Sequence, residues 1–180
     1  NYTELRAQLE AKGHKFSSET DTESVAHLLS DLRKAHNGDL TAAMRDAVKA
    51  LRGSFTLLAI HADAPDVIVG VRRNSPLVVG LGDGENFMAS DVAAFIEFTN
   101  KAIELGQDEV VTMTPTSVEI TDLDGKPVTP KQYEISWDAS AAQKGGFAHF
   151  MLKEIFEQPK AVADTLIVSS PAPPLKNSVP

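Results

Sequence analysis

The chain has 180 residues, of which 42% are hydrophobic and 23% charged, a composition typical of a globular protein rather than of a disordered one. Its 17 Lys and Arg residues against 25 Asp and Glu give a net charge of −8. A negative surface repels phosphate backbones and anionic lipid, so we expect neither a nucleic-acid nor a membrane partner. The sequence contains no cysteine, which excludes a disulfide, a thiolate metal site and a cysteine nucleophile within these residues.

The first 53 residues are predicted to be mostly helical. A first helix spans Tyr2–Lys12. The segment Thr20–Glu23 (TDTE) has the form of a capping box, in which Thr20 caps a second helix and Glu23 bonds back to its amide. Apolar residues behind it follow the spacing of a buried helical stripe: Val25, Leu28, Leu29 and Leu32. A third helix begins near Asp39.

From residue 54 the pattern changes to short β-like runs. They are Ser54–His61, Asp66–Val71, Leu77–Val79 and Asn86–Ala89. The glycine-rich segment Val79–Gly84 contains G-x-G, but a strand-like run follows it instead of a helix, so it predicts a hairpin turn and not a dinucleotide site. Glu109–Thr114 and Ser117–Thr121 predict a second hairpin, whereas Ala102–Leu105 fits a helix or a strand. Helices followed by strands predict an α+β fold with a mixed or antiparallel sheet.

The C-terminal region changes character again. Asp138–Gly146 is small and polar and is a candidate linker. An amphipathic helix is predicted from Phe147 to a stop at Pro159, and Ala161–Ile167 restarts an apolar pattern. Ser169–Pro180 carries four prolines in twelve residues and is predicted to be a disordered tail.

Few residues form a recognisable catalytic or metal-binding pattern. No two of the five histidines have the i, i+4 spacing of a helical metal pair, and we expect all five to be structural or surface residues. Arg72 and Arg73 should face opposite sides of a strand, which argues against a shared anion site.

Asp21 has two interpretations. The commoner one is a first-turn carboxylate that complements the helix dipole, and the other is an acceptor for a ligand ammonium group.

Seven segments, taken in chain order, point to one enzyme family. They are Asn1–Leu5, Thr20–Glu23, Arg73–Gly82, Glu85–Asp91, Lys144–Phe147, His149–Ile155 and Glu157–Pro159. Over residues 1 to about 166 the chain resembles glutamine–fructose-6-phosphate aminotransferase (isomerising), also called glucosamine-6-phosphate synthase, in its class II glutamine amidotransferase domain.

The resemblance implies a fold and a domain organisation. Residues 1–138 would form a partial N-terminal-nucleophile fold, an αββα sandwich. Residues 139–168 would be an interdomain linker and the start of a sugar-isomerase domain, followed by a disordered tail over 169–180. The implied enzyme is cytoplasmic, works without a cofactor and is a homo-oligomer. It hydrolyses L-glutamine and passes the ammonia to fructose 6-phosphate, giving glucosamine 6-phosphate for amino-sugar synthesis.

The resemblance assigns one site residue. In the family the nucleophile is an N-terminal cysteine, which has no counterpart here. The oxyanion donors and the arginine that binds the substrate carboxylate have no counterpart here either. We therefore expect no catalytic residue in this chain. The aspartate of the TDTE segment binds the α-ammonium of glutamine in the family, and it corresponds to Asp21. The chain also begins inside a predicted helix at Asn1 instead of at a methionine. We therefore expect a piece of a longer enzyme that is inactive alone.

Three alternatives stay open from the sequence. The missing part of the domain could come from another chain, which would restore glutaminase activity. The chain could be a non-catalytic binding or scaffold domain of the same fold. It could also belong to an amidotransferase with a different acceptor, such as amidophosphoribosyltransferase, although the segment Lys153–Pro159 argues against that family.

Overall fold

The computed structural model describes residues 1–136 and 145–169, so the predicted tail after residue 169 and most of the predicted linker lie outside the described residues. The chain divides into two units, Asn1–Trp137 and Asp138–Pro180.

Within residues 1–136, three α-helices come first. They are α1 (Tyr2–Ala11), α2 (Asp21–Ala35) and α3 (Leu40–Ala50). Asp39 caps α3, since its side chain accepts a hydrogen bond from the Ala42 amide at 2.9 Å. Each helix buries an apolar stripe against the others and against a sheet, and the buried residues are Leu5, Leu9, Leu28, Leu29, Ala43, Met44, Ala47 and Val48.

Eight short strands follow in residues 1–136. They are β1 (Phe55–His61), β2 (Ala64–Arg73), β3 (Val78–Leu81), β4 (Asn86–Ala89), β5 (Lys101–Glu104), β6 (Val110–Met113), β7 (Val118–Thr121) and β8 (Gln132–Glu134). Among the described residues they form two four-stranded antiparallel sheets, ordered β1-β2-β6-β7 and β4-β3-β5-β8. The predicted hairpins β3–β4 and β6–β7 are both present, and the ambiguous stretch Ala102–Leu105 is extended, with all but its last residue in strand β5.

The layers follow from side-chain alternation along the strands. In β2, Val69 and Val71 face the helices, whereas Ile68 packs into the space between the two sheets. In β3, Val79 joins that inter-sheet core and Val78 packs on the outer face of the second sheet. Helices, first sheet and second sheet are therefore stacked in that order, which is the α+β architecture expected of a partial αββα sandwich.

A short 3₁₀ helix, Val92–Ala94, packs on the outer face of the second sheet. It brings Phe95, which is 1% exposed, directly over the backbone of Gly80. A Cβ at Gly80 would lie 2.7 Å from a ring carbon of Phe95, so only glycine fits under this ring.

The second unit contains α4 (Phe150–Ser169) within its described residues. The predicted stop at Pro159 is wrong, because α4 continues through this residue. Pro159 has no N–H, so the carbonyl of Ile155 one turn earlier loses its intrahelical partner. Several large apolar side chains of α4 are exposed: Phe150, Met151, Leu152, Ile155, Phe156, Val162 and Leu166. In the part of the chain that is described, no helix meets the length and apolarity needed to cross a bilayer.

Candidate substrate-binding site

Asp21 is the first residue of α2, as the sequence predicted. Thr20 before it is extended (φ −74°, ψ 141°), so the Asp21 carboxylate lies beside the unpaired amides of the first helical turn. The side chain is exposed, and within residues 1–136 and 145–169 its carboxylate receives only a long contact from the Thr22 hydroxyl, 3.5 Å from Oδ1. It forms no ion pair with the described residues, so its oxygens can accept from a ligand.

Asp21 lines a groove of about 290 Å³. The starts of α1 and α2 form one side of this groove, and the segment from the end of α3 to the start of β1 forms the other. Polar and apolar side chains line the groove in similar measure, and the polar ones include Asn1, Ser54 and Thr56. A cleft of this size and polarity suits a small polar ligand such as an amino acid.

The Asn1 side chain joins the two sides of the groove. Its Nδ2 donates to the carbonyl of Ala50 at 3.0 Å, and its Oδ1 accepts from the amide of Arg52 at 3.0 Å. Because both backbone partners lie just before β1, this pair of bonds fixes the start of α1 against the end of α3. Sequence reasoning missed this role, since nothing in the spacing of Asn1 and Arg52 indicates contact.

The predicted capping box is wrong. Thr20 occupies the N-cap position, but its side chain makes no capping bond, and Glu23 does not reach the Thr20 amide. Instead the Glu23 carboxylate accepts from the backbone amides and hydroxyls of Ser17 and Ser18. Four donors satisfy a carboxylate better than the single amide of a capping box. These bonds, led by the Ser17 amide and the Ser18 hydroxyl, lower the pKa of Glu23 to about 2.

Strand β1 borders the groove on the other side and is only partly covered. One of its edges pairs with β2, and the other edge pairs with no strand in residues 1–136. Leu57 and Ala59 pack against the helices, whereas Leu58 and Ile60 on the opposite face are 49% and 69% exposed. An unpaired edge next to an exposed apolar face is a surface that other protein usually covers.

The remaining candidates from the sequence do not form a site. Arg72 and Arg73 face opposite sides of the strand, as predicted. Arg73 Nε donates to Asp108 Oδ1 at 2.7 Å, whereas Arg72 Nη1 lies 3.7 Å from Glu104 Oε1. Four of the five histidines each lie within 4 Å of one carboxylate, as His14 Nε2 does of Asp31 Oδ2 at 2.9 Å. Across the described ranges, no group of three His, Asp or Glu side chains is arranged to hold a metal ion.

The sequence and the fold of this chain are both similar to known proteins. Residues 1–97, more than half of the chain, match the family described as glutamine amidotransferase domain, and the chain belongs to that family. Among solved structures, the fold resembles the glutamine phosphoribosylpyrophosphate amidotransferase of Bacillus subtilis, with a TM-score of 0.56 and 22% identity over 67% of this chain and 26% of that one. At that identity the likeness concerns the fold alone, and it confirms the N-terminal-nucleophile architecture.

The curated relatives are more similar in sequence. The chain is 60% identical over 93% of its length to the glutamine–fructose-6-phosphate aminotransferase (isomerizing) of Streptomyces coelicolor. It is 57% identical to the enzyme of that name from Corynebacterium efficiens, over 93% of its length, and 52% identical to one from Thermus thermophilus, over 92%. The resemblance seen in the sequence is therefore confirmed. The chain spans 27% of the length of each of these relatives.

Proposed function

We propose that this chain supplies the ammonium-binding side of the glutamine site in an enzyme that makes glucosamine 6-phosphate from fructose 6-phosphate and glutamine. The observation that carries the proposal is the Asp21 carboxylate, which lines a groove of amino-acid size without an ion pair to any described residue. The names and the identity of the relatives support the assignment of the substrates.

Asp21 binds and orients the substrate in this proposal. Its carboxylate accepts from the α-ammonium of glutamine, a charge-assisted contact worth about 1.5–3 kcal/mol. The contact fixes one end of the substrate, so that the side-chain amide projects toward the nucleophile. A cysteine thiolate then attacks the amide carbon, ammonia leaves, and water hydrolyses the thioester to glutamate. These 180 residues contain no cysteine, so the thiolate comes from protein outside them.

The proposal extends to the rest of the enzyme. Residues 139–168 would connect the amidotransferase domain to sugar-isomerase domains, where the ammonia meets fructose 6-phosphate. The complete enzyme would be a cytoplasmic homo-oligomer.

A second candidate is a half-domain that another chain completes. The free edge of β1 is the observation behind it: the edge offers an added strand backbone hydrogen-bond partners, and the exposed Leu58 and Ile60 offer an apolar face. The two candidates differ in whether the completing strand is covalently continuous with this chain.

The test replaces the aligned 167 residues of the Streptomyces coelicolor relative with those of this chain. We expect this chimera to form glucosamine 6-phosphate from glutamine. Asp21→Asn in the chimera should raise the KM for glutamine by about ten- to a hundredfold, while synthesis from added ammonia stays unchanged. A chimera that folds but uses only ammonia, or an Asn variant with an unchanged KM, would contradict the proposal. Mixing the separate chain with the remainder of the relative tests the second candidate.

A further inference from the structure

The loop before Asp21 is bonded to the first turn of α2. The Glu23 carboxylate accepts from the Ser17 amide at 2.7 Å and from the Ser18 amide at 2.7 Å, and both serine hydroxyls donate to it as well. The Glu23 side chain is 15% exposed; its bonds to Ser18 are partly buried, whereas its bonds to Ser17 are exposed. One carboxylate therefore orders two consecutive residues of the loop.

Helix α1 bonds to the same loop from its other side. Arg6 donates to the carbonyl of Ser18 at 3.0 Å and to the Tyr2 hydroxyl at 2.9 Å. That hydroxyl in turn donates to the carbonyl of Glu19 at 3.2 Å. The carbonyls of Ser18 and Glu19 are thus bonded to α1, while the amides of Ser17 and Ser18 are bonded to Glu23.

The network continues to the residue that precedes Asp21. The Ser18 hydroxyl lies 2.8 Å from Oγ1 of Thr20 and accepts from the Thr20 amide at 3.3 Å. Glu23, Ser18 and Thr20 thus form a connected path that ends one peptide bond from Asp21. The Asp21 side chain has no strong bond to a described residue, so its direction is set by the backbone where this loop joins the first turn of α2.

We infer that Glu23 is a positioning residue for substrate binding, which fixes the Ser17–Thr20 loop and thereby aims the Asp21 carboxylate at the α-ammonium of glutamine. The inference rests on the proposed function of Asp21. Glu23 does not touch the substrate. It acts through Ser18 and Thr20, and the catalytic chemistry does not involve it.

The test uses Glu23→Gln in the chimera. The amide keeps the shape of Glu23 but places an NH₂ group against the donors of Ser17 and Ser18, which releases the loop. We expect the KM for glutamine to rise about tenfold, since small errors in placement weaken a directed contact. The kcat with saturating glutamine and the synthesis from ammonia should stay unchanged. Asp46→Asn is the matched control, because Asp46 is a carboxylate of α3 that is bonded to His36 and Lys49 and does not line the groove.

A double variant separates positioning from general stabilisation. If Glu23 acts through Asp21, the KM of Asp21→Asn/Glu23→Gln should equal that of Asp21→Asn alone. Additive effects would overturn the inference. A normal KM in Glu23→Gln would also overturn the inference. If Asp21→Asn still raised the KM in that case, the proposed function would stand without the inference. An unchanged KM in Asp21→Asn would overturn both. Ser18→Ala breaks the path between Glu23 and Thr20 but keeps Glu23. It is the substitute variant if Glu23→Gln does not fold, and we expect it to raise the KM for glutamine about threefold.

Discussion

The two sides of the Asp21 groove differ in how completely they are built. At the start of α2, Glu23 accepts four hydrogen bonds from the preceding loop, and α1 bonds to the carbonyls of the same loop. At β1, one edge is unpaired within the described residues, and Leu58 and Ile60 are exposed. The contrast separates what the chain does alone from what it needs. In the proposed function, this chain orders the groups that orient the substrate, and the reactive side of the site comes from protein outside these residues.

The largest effect should be on catalysis. We predict that the isolated chain releases no ammonia from glutamine, because no residue in it can replace the missing thiolate nucleophile. An enzyme-coupled ammonia assay on the purified chain checks this, with the Asp21→Asn variant as a control for contaminating activity. Ammonia release above background that disappears in this variant would show that the chain has a nucleophile of its own.

The β1 face should make the isolated chain unstable. We predict that it unfolds with weak cooperativity and binds a hydrophobic dye, since domains have only about 5–15 kcal/mol of net stability and the uncovered face contributes nothing. Ile60→Lys should reduce dye binding in the isolated chain. In the chimera the same lysine should lower the melting temperature by about 4 °C, because it buries an unpaired charge.

Glu119→Lys is the control for that comparison, since it adds the same side chain to β7, at the other edge of the first sheet. It should change neither dye binding nor the melting temperature. A sharp unfolding transition of the isolated chain without dye binding would show that the β1 face needs no cover.

The smallest effect should be the pH dependence at Glu23. Its folded-state pKa of about 2 lies below the ordinary value of 4.5, so ionised Glu23 stabilises the fold. This contribution is complete above about pH 4.5 and is lost as the pH falls from there through 2. Thermal unfolding of the chimera between pH 6 and pH 3 should therefore show a smaller loss of stability in Glu23→Gln than in the parent. Parallel pH profiles would mean that the hydrogen bonds of Glu23 do not favour its ionised form.

The sequence predicted the position of Asp21 and most strands, because helical spacing and β-hairpin turns are local signals. Prediction from the sequence failed where two sets of donors compete for one carboxylate. Glu23 could bond to Thr20 or to the loop at Ser17, and only the folded loop shows which set of donors is larger. It also failed at Pro159, where α4 continues despite the lost backbone bond. The contact of Asn1 with Ala50 joins residues far apart in the chain and has no local signal.

The central claim is that Asp21 recognises the α-ammonium group, and the most direct measurement compares two substrates of the chimera. One is glutamine, and the other is its analogue without the α-amino group. The ratio of their kcat/KM values isolates the ammonium contact. We predict that Asp21→Asn lowers this ratio by about ten- to a hundredfold, mainly through glutamine. An unchanged ratio, with any loss shared equally by both substrates, would show that Asp21 stabilises only the start of α2.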